Sequence, residues 1–197
     1  MKLKVMLATL ALSALIITST ATAGLIEGNL NVDNKHTVYI STDDNTQGVD
    51  VSSYYGWQVT DSFSANLTTG VDYFLHIKAS NDYGPAAFLG DFSLDGSEHV
   101  FANGLDSITT NTVDWSVSNS GWGGYTTATG YGINGVSPWG FQSGVDSSAQ
   151  WIWSSSVSSL QDVYFTVAIK AVDVPEPSSV AIFGLAIFIF AGRRFTK

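Results

Sequence analysis

Between Asn119 and Gln142 a glycine-rich stretch carries five large rings, Trp122, Tyr125, Tyr131, Trp139 and Phe141, with Asn134 among them. Such a set suits sugar recognition. An aromatic face packs on the apolar side of a pyranose ring, and Asp or Asn side chains bond its hydroxyls. Loops carry such sites when a rigid scaffold holds them. Trp122, Tyr125, Tyr131, Asn134 and Trp139 are therefore candidate carbohydrate-binding residues. Each ring has a plainer alternative role, plugging the open end of a β-sandwich, because large aromatics usually bury.

A second chemistry is offered by Asp43, Asp44, Asn45 and Asp50. Hard oxygen ligands in one loop suit Ca²⁺, the one cofactor the sequence suggests. The loop is not an EF-hand. With Asp43 as the first ligand, Gly48 falls at the glycine position, but Tyr54 stands where the bidentate glutamate belongs. The alternative is a solvated Asx-rich turn. Asp91, Asp95 and Glu98 form another acidic cluster with the same two readings.

Catalysis has little support, and the expectation is that the chain is not an enzyme. His36, His76 and His99 sit in no zinc-protease motif, and there is no nucleophile elbow and no cysteine. Asp91 with Glu98 is conceivable as a glycosidase pair.

The elements that must position these groups read as strands. Val38 and Ile40 alternate with Thr37, Tyr39 and Ser41. Tyr73, Leu75, Ile77 and Ala79 share one face, while Phe74, His76 and Lys78 take the other. Val113, Trp115 and Val117 align, as do Trp151 and Trp153. Val163, Phe165, Val167, Ile169 and Ala171 form one more face. Period-two patterns rich in β-branched and aromatic residues, separated by Gly, Asn and Asp turns, predict an all-β antiparallel sandwich. With no disulfide available, packing must stabilise it.

Residues 24–173 form the predicted domain, roughly 150 residues, long enough for one core. It holds sixteen of the 17 acids, all but Glu176, and only three basic residues, Lys35, Lys78 and Lys170, a net of −13. Such a surface repels phosphate backbones, and the absence of arginine removes bidentate phosphate recognition, so nucleic acid is not an expected partner.

The domain resembles galactose-binding-like jelly rolls and carbohydrate-binding modules of that shape. The likeness rests on "NKHTVYISTDD", "YFLHIKASNDYGPAAFLGDFSL" and "SPWG" followed by "AQWIWS". It implies a sandwich whose loops bind sugar, often beside a structural calcium.

The ends of the chain concern sorting. Lys2 and Lys4, an apolar run from Val5 to Ile17 and the small residues Ala21-Thr22-Ala23 fit a cleavable secretory signal peptide over 1–23. At the other end, Val180 to Ala191 are all apolar or glycine. As a helix they would span about 18 Å at ~1.5 Å per residue, short of a bilayer core of about 30 Å. A buried core helix is the alternative, but no polar face exists around it. Pro175-Glu176-Pro177 separates it from the domain, and Arg193, Arg194 and Lys197 follow as a positive-inside anchor. A membrane segment is the reading, with local thinning and snorkelling arginines absorbing the mismatch.

Pro-Glu-Pro, an apolar helix and Arg193-Arg194, in that order over 174–197, resemble the PEP-CTERM sorting signal of Gram-negative bacteria. The resemblance implies that an exosortase, a membrane-embedded cysteine protease-transpeptidase, recognises Pro175, Glu176 and Pro177 and removes the tail. It also implies an inner-membrane-anchored precursor that ends at the cell surface or in an exopolysaccharide matrix. The function expected from the whole chain is exopolysaccharide binding after export. The alternatives are a purely structural surface protein and a polysaccharide hydrolase.

Overall fold

The computed structural model describes residues 24–155 and 161–172. The expected signal peptide, Pro-Glu-Pro hinge, apolar helix and basic tail lie outside the described residues. Among these residues thirteen strands run in chain order: β1 Gly24–Asp33, β2 Lys35–Ser41, β3 Val49–Tyr55, β4 Asp61–Leu67, β5 Tyr73–Asn81, β6 Ala87–Asp95, β7 His99–Phe101, β8 Ser107–Thr109, β9 Ser116–Ser118, β10 Thr126–Thr127, β11 Thr129–Ile133, β12 Gln150–Trp153 and β13 Gln161–Ala171. Among the described residues there is no helix.

The strands form two sheets, antiparallel throughout. The first has the order β11-β12-β6-β1-β4, with β8 also on β6. The second has the order β10-β9-β13-β5-β2-β3, with β7 also on β13. The all-β sandwich expected from period-two patterning is therefore what forms, because every central strand has one face to bury against the facing sheet.

Side-chain alternation decides which face that is. In β5, Leu75, Ile77 and Ala79 point into the core, and in β13 Val163, Phe165, Val167 and Ile169 do the same. From the first sheet come Ile26, Leu30, Val32, Phe63, Leu67, Phe88 and Phe92. Ring contacts knit the centre: Phe88 lies 5.2 Å from Trp115 and 5.1 Å from Phe165, and Trp153 lies 5.7 Å from Phe165. Each such ring removes about 150–250 Å² from water, an upper bound of about 4–6 kcal/mol at ~25 cal/mol/Å². That is how a domain of this size dispenses with disulfides.

Gly28 shows how tightly the first sheet is built. Its register partners are Phe63 on β4 and Phe92 on β6. A Cβ at Gly28 would lie 2.5 Å from each ring. The two rings close over the bare glycine and fill the space a side chain would take.

Two expected alignments are corrected. Trp151 and Trp153 do not share a side. Trp153 joins the inter-sheet core, whereas Trp151 packs outside the first sheet with Ala87, Leu89 and Trp139. Val113 is exposed and precedes β9, because Asn111 folds residues 111–114 into an Asx turn, its Oδ1 accepting from the backbone N–H of Val113 and Asp114.

Candidate functional site

The outer face of the second sheet brings two sequence clusters together. Loop 42–48 connects β2 to β3, and loop 119–125 connects β9 to β10; both fold onto this face. Trp122 stacks on His76 at 4.3 Å and 9°, and meets Tyr164 edge-on at 4.8 Å and Tyr39 at 5.8 Å. Beneath it His76 is 0 % exposed. Its Nε2 lies 3.1 Å from Asp44 Oδ1, which also accepts the Thr166 hydroxyl at 2.6 Å. Tyr125 donates its hydroxyl to the Asp44 carbonyl at 2.9 Å. Burial, with the Asp44 carboxylate nearby, pushes the Tyr125 phenol up to about 12. Gly48 makes the return to β3: its φ of +85° is left-handed, and a Cβ there would strike the Ile40 carbonyl.

This geometry does not support a calcium loop. Asp43 turns back on its own loop, where Oδ1 accepts the Asn45 backbone N–H at 2.9 Å and its amide at 3.3 Å. Asp44 faces the sheet, and Asp50 stands on β3 across from Tyr39. Asp43 and Asn45 bond to each other, and Asp44 bonds to His76 and Thr166. Among the described residues no three His, Cys, Asp or Glu are placed to hold a metal ion. The Asx-turn alternative describes Asp43 and Asn45.

The rest of the aromatic stretch lies on the opposite face of the sandwich. Trp139 is 6 % exposed, stacks on Trp151 at 4.8 Å and donates its indole N–H to Asp33 Oδ2 at 3.0 Å. Burial raises the Asp33 carboxyl above its usual range, and the indole hydrogen bond opposes that shift. Tyr131 meets Trp139 edge-on at 6.5 Å. Asn134 is buried and holds the loop: its amide donates to the carbonyls of Gln142 and Val145, each at 2.9 Å, and its Oδ1 accepts the Gln142 N–H at 2.8 Å. Trp122 and Tyr125 on one face, and Tyr131, Asn134 and Trp139 on the other, cannot form one sugar platform. Phe141 is the exposed ring of the stretch.

Among the described residues the histidines and the Asp91–Glu98 acids are not brought together as a catalytic set. His36 Nε2 faces Asp61 at 3.0 Å, but Ser52 donates to that same Asp61 oxygen at 2.7 Å, so no hydroxyl is bonded to the imidazole. His99 faces the Val71 carbonyl. Asp91 lies on β6 in the first sheet, whereas the Glu98 carboxylate accepts the Ser97 N–H in the turn before β7 of the second sheet. The conceivable Asp91–Glu98 pair is not assembled.

Asp91 instead borders a groove that sequence spacing does not reveal. The groove, of about 530 Å³, lies beside β6 and β8 and is bounded by Asp91, Asn103, Leu105, Asn111, Asp114 and Asp146. Asp91 accepts the Asn29 amide at 2.9 Å and the Asp146 N–H at 2.6 Å. Asp146 accepts both the N–H and the hydroxyl of Ser148, which hold its carboxyl below the usual carboxylate range. Asn111 donates to Asp114 Oδ2 at 2.9 Å. Leu105 is 58 % exposed and adds an apolar rim. Carboxylate and amide oxygens beside an apolar side chain are the elements that hydroxyl-rich ligands need.

Comparison with known proteins bears on the C-terminus. No curated protein and no solved structure matches the chain significantly. Residues 173–194 match the PEP-CTERM protein-sorting motif, which spans Pro175, Glu176, Pro177, Arg193 and Arg194. The chain thus carries the sorting signal of an exported, membrane-passing precursor that an exosortase processes.

Proposed function

We propose that the chain is a cell-surface or extracellular-matrix protein whose sandwich binds exopolysaccharide once the sorting tail has been removed. The groove beside β6 and β8 carries this reading. It is large enough for one or two sugar rings, and its oxygens would accept hydroxyls while Leu105 meets an apolar ring face. The galactose-binding-like resemblance agrees, as does the sorting signal, which delivers the domain to where such polymers are. Before processing, the apolar segment would hold the precursor in the inner membrane, with the acidic domain outside. In this reading the protein is a binding component and not an enzyme.

A second reading has its own observation. Trp122, Trp139, Asn134 and Asp44 are all engaged inside the protein, as in a purely structural surface protein. Retention on immobilised matrix polysaccharide separates the two. Leu105→Ser and Asp114→Ala should each weaken retention by the groove reading. Undiminished retention in both would remove the groove, and no retention of the parent protein on any glycan would favour the structural role.

A further inference from the structure

Among the described residues six strands are paired on one side only, and five of them are ill-suited to pairing with another chain. β7 and β8 have three residues each. β10 has two residues. β11 is interrupted by a register shift between Gly130 and Gly132. β3 has a register irregularity against β2 at Val38/Tyr39 and carries Asp50. β4 differs from all of these. It pairs with β1 through seven consecutive positions, Leu67 with Gly24 through to Asp61 with Leu30, and among the described residues no strand is hydrogen-bonded in register to its other side, although Ser52 of β3 reaches Asp61. It contains no proline, lysine or bulge, and its one charge, Asp61, is bonded to His36 and Ser52 of the same copy.

The geometry points to β4 as a self-association edge, with β4 of a second copy as its occupant. An isologous antiparallel pair with full overlap is centred on Ser64. Ser64 then faces Ser64 of the second copy, Ser62 faces Asn66, Phe63 faces Ala65 and Asp61 faces Leu67. The outward face becomes an uncharged ladder of Ser62, Ser64 and Asn66, all exposed in the monomer. Small hydroxyl and amide side chains opposite one another are compatible cross-strand pairs.

Charge selects this edge in a domain with a net of −13. The only charge on β4 is Asp61, and its Oδ2 is directed at His36 and Ser52 within the same copy. Glu27, beside Ser64 on β1, would stand three strand spacings from its copy, about 14 Å at roughly 4.8 Å per strand. That exceeds the screening length of roughly 8 Å at physiological ionic strength. Beside the free edge lies a cleft of about 470 Å³ lined by Val49, Val51, Ala65 and Tyr73, with Val49 70 % exposed, so apolar surface flanks the hydrogen-bonding row.

The absence of cysteine makes the register testable in the full-length chain during export. Facing Cα atoms in an antiparallel pair lie about 4.5–5.5 Å apart, inside the roughly 4.4–6.8 Å range of disulfides. Ser64→Cys should yield a covalent homodimer under oxidising conditions, and Thr127→Cys on β10 should not. Ser62→Cys and Asn66→Cys should cross-link when co-expressed and remain monomeric when expressed singly. Dimer formation equal at Ser64→Cys and Thr127→Cys would overturn the inference. So would Ser62→Cys cross-linking to itself as well as to Asn66→Cys. A monomeric Ser64→Cys overturns it too, and maleimide then identifies the reason: a protected thiol means that another segment covers the edge, a reactive one that the edge stays open.

Discussion

Replacing Trp122 with alanine asks whether this ring belongs to the fold or to a ligand. The indole covers a fully buried His76 and touches Tyr39 and Tyr164 edge-on. It is itself half-buried, so we take about 100–150 Å² of apolar surface lost from contact, which at ~25 cal/mol/Å² is about 2.5–4 kcal/mol. The ring-pair geometry is part of the same interaction and is not added again. For a domain of about 150 residues, each kcal/mol lowers Tm by roughly 2–4 °C, so a fall of about 5–15 °C is expected. Trp122→Phe should recover part of it, because a smaller ring still reaches the imidazole. Scanning calorimetry reads the melting temperature, and modification by diethyl pyrocarbonate reads the exposure of His76, which should react faster in Trp122→Ala. An unchanged Tm together with lost polysaccharide retention would refute the reasoning and return Trp122 to a ligand-facing role.

Gly28→Val should cost about 1–3 kcal/mol or more by forcing the Phe63 and Phe92 rings apart, visible in urea melts. Asn134→Ala strips partners from the Gln142 N–H and from the carbonyls of Gln142 and Val145, so a loss of about 2–4 kcal/mol is expected in the same melts. His36 has its pKa lowered chiefly by burial, against the pull of Asp61, so the fold favours the neutral ring. Its contribution is full above the usual value of 6.5 and falls as the pH drops below it, so stability should decline on acidification below 6.5, less steeply in His36→Phe. The Tyr125 phenol is raised to about 12, and the stability it contributes below pH 10 should be lost as the pH rises from 10 towards 12, a loss that a Tyr125→Phe comparison in alkaline melts would isolate.

What the sequence discloses depends on how local the cause is. β5 and β13 are legible because Leu75–Ile77–Ala79 and Val163–Phe165–Val167–Ile169 alternate without interruption, and one buried face is a local requirement. β1 is not, because Gly28 replaces an apolar side chain with space for two rings that arrive from β4 and β6, while Asn29 and Asn31 dilute the rest. Trp151 and Trp153 mislead because β12 pairs in register with β6 at Ile152 alone, too short a ladder to enforce the alternation. The candidate site divides along the same line. Asp91, Asp114 and Asp146 meet only after three separate segments are folded together, so no spacing announces their groove. Asp43, Asp44, Trp122 and Trp139 announce themselves by type, yet type does not separate a ligand from a turn or a plug. An aspartate that could accept a sugar hydroxyl is equally able to accept Thr166 or the backbone of Asn45, and a tryptophan that could stack on a pyranose stacks as well on His76 or Trp151. The deciding quantity is whether each donor, acceptor and ring face already has an internal partner. For Asp44, Asn134, Trp122 and Trp139 it does, which moves the candidate binding surface to the groove, which the half-buried Asp114 lines and the exposed Leu105 rims.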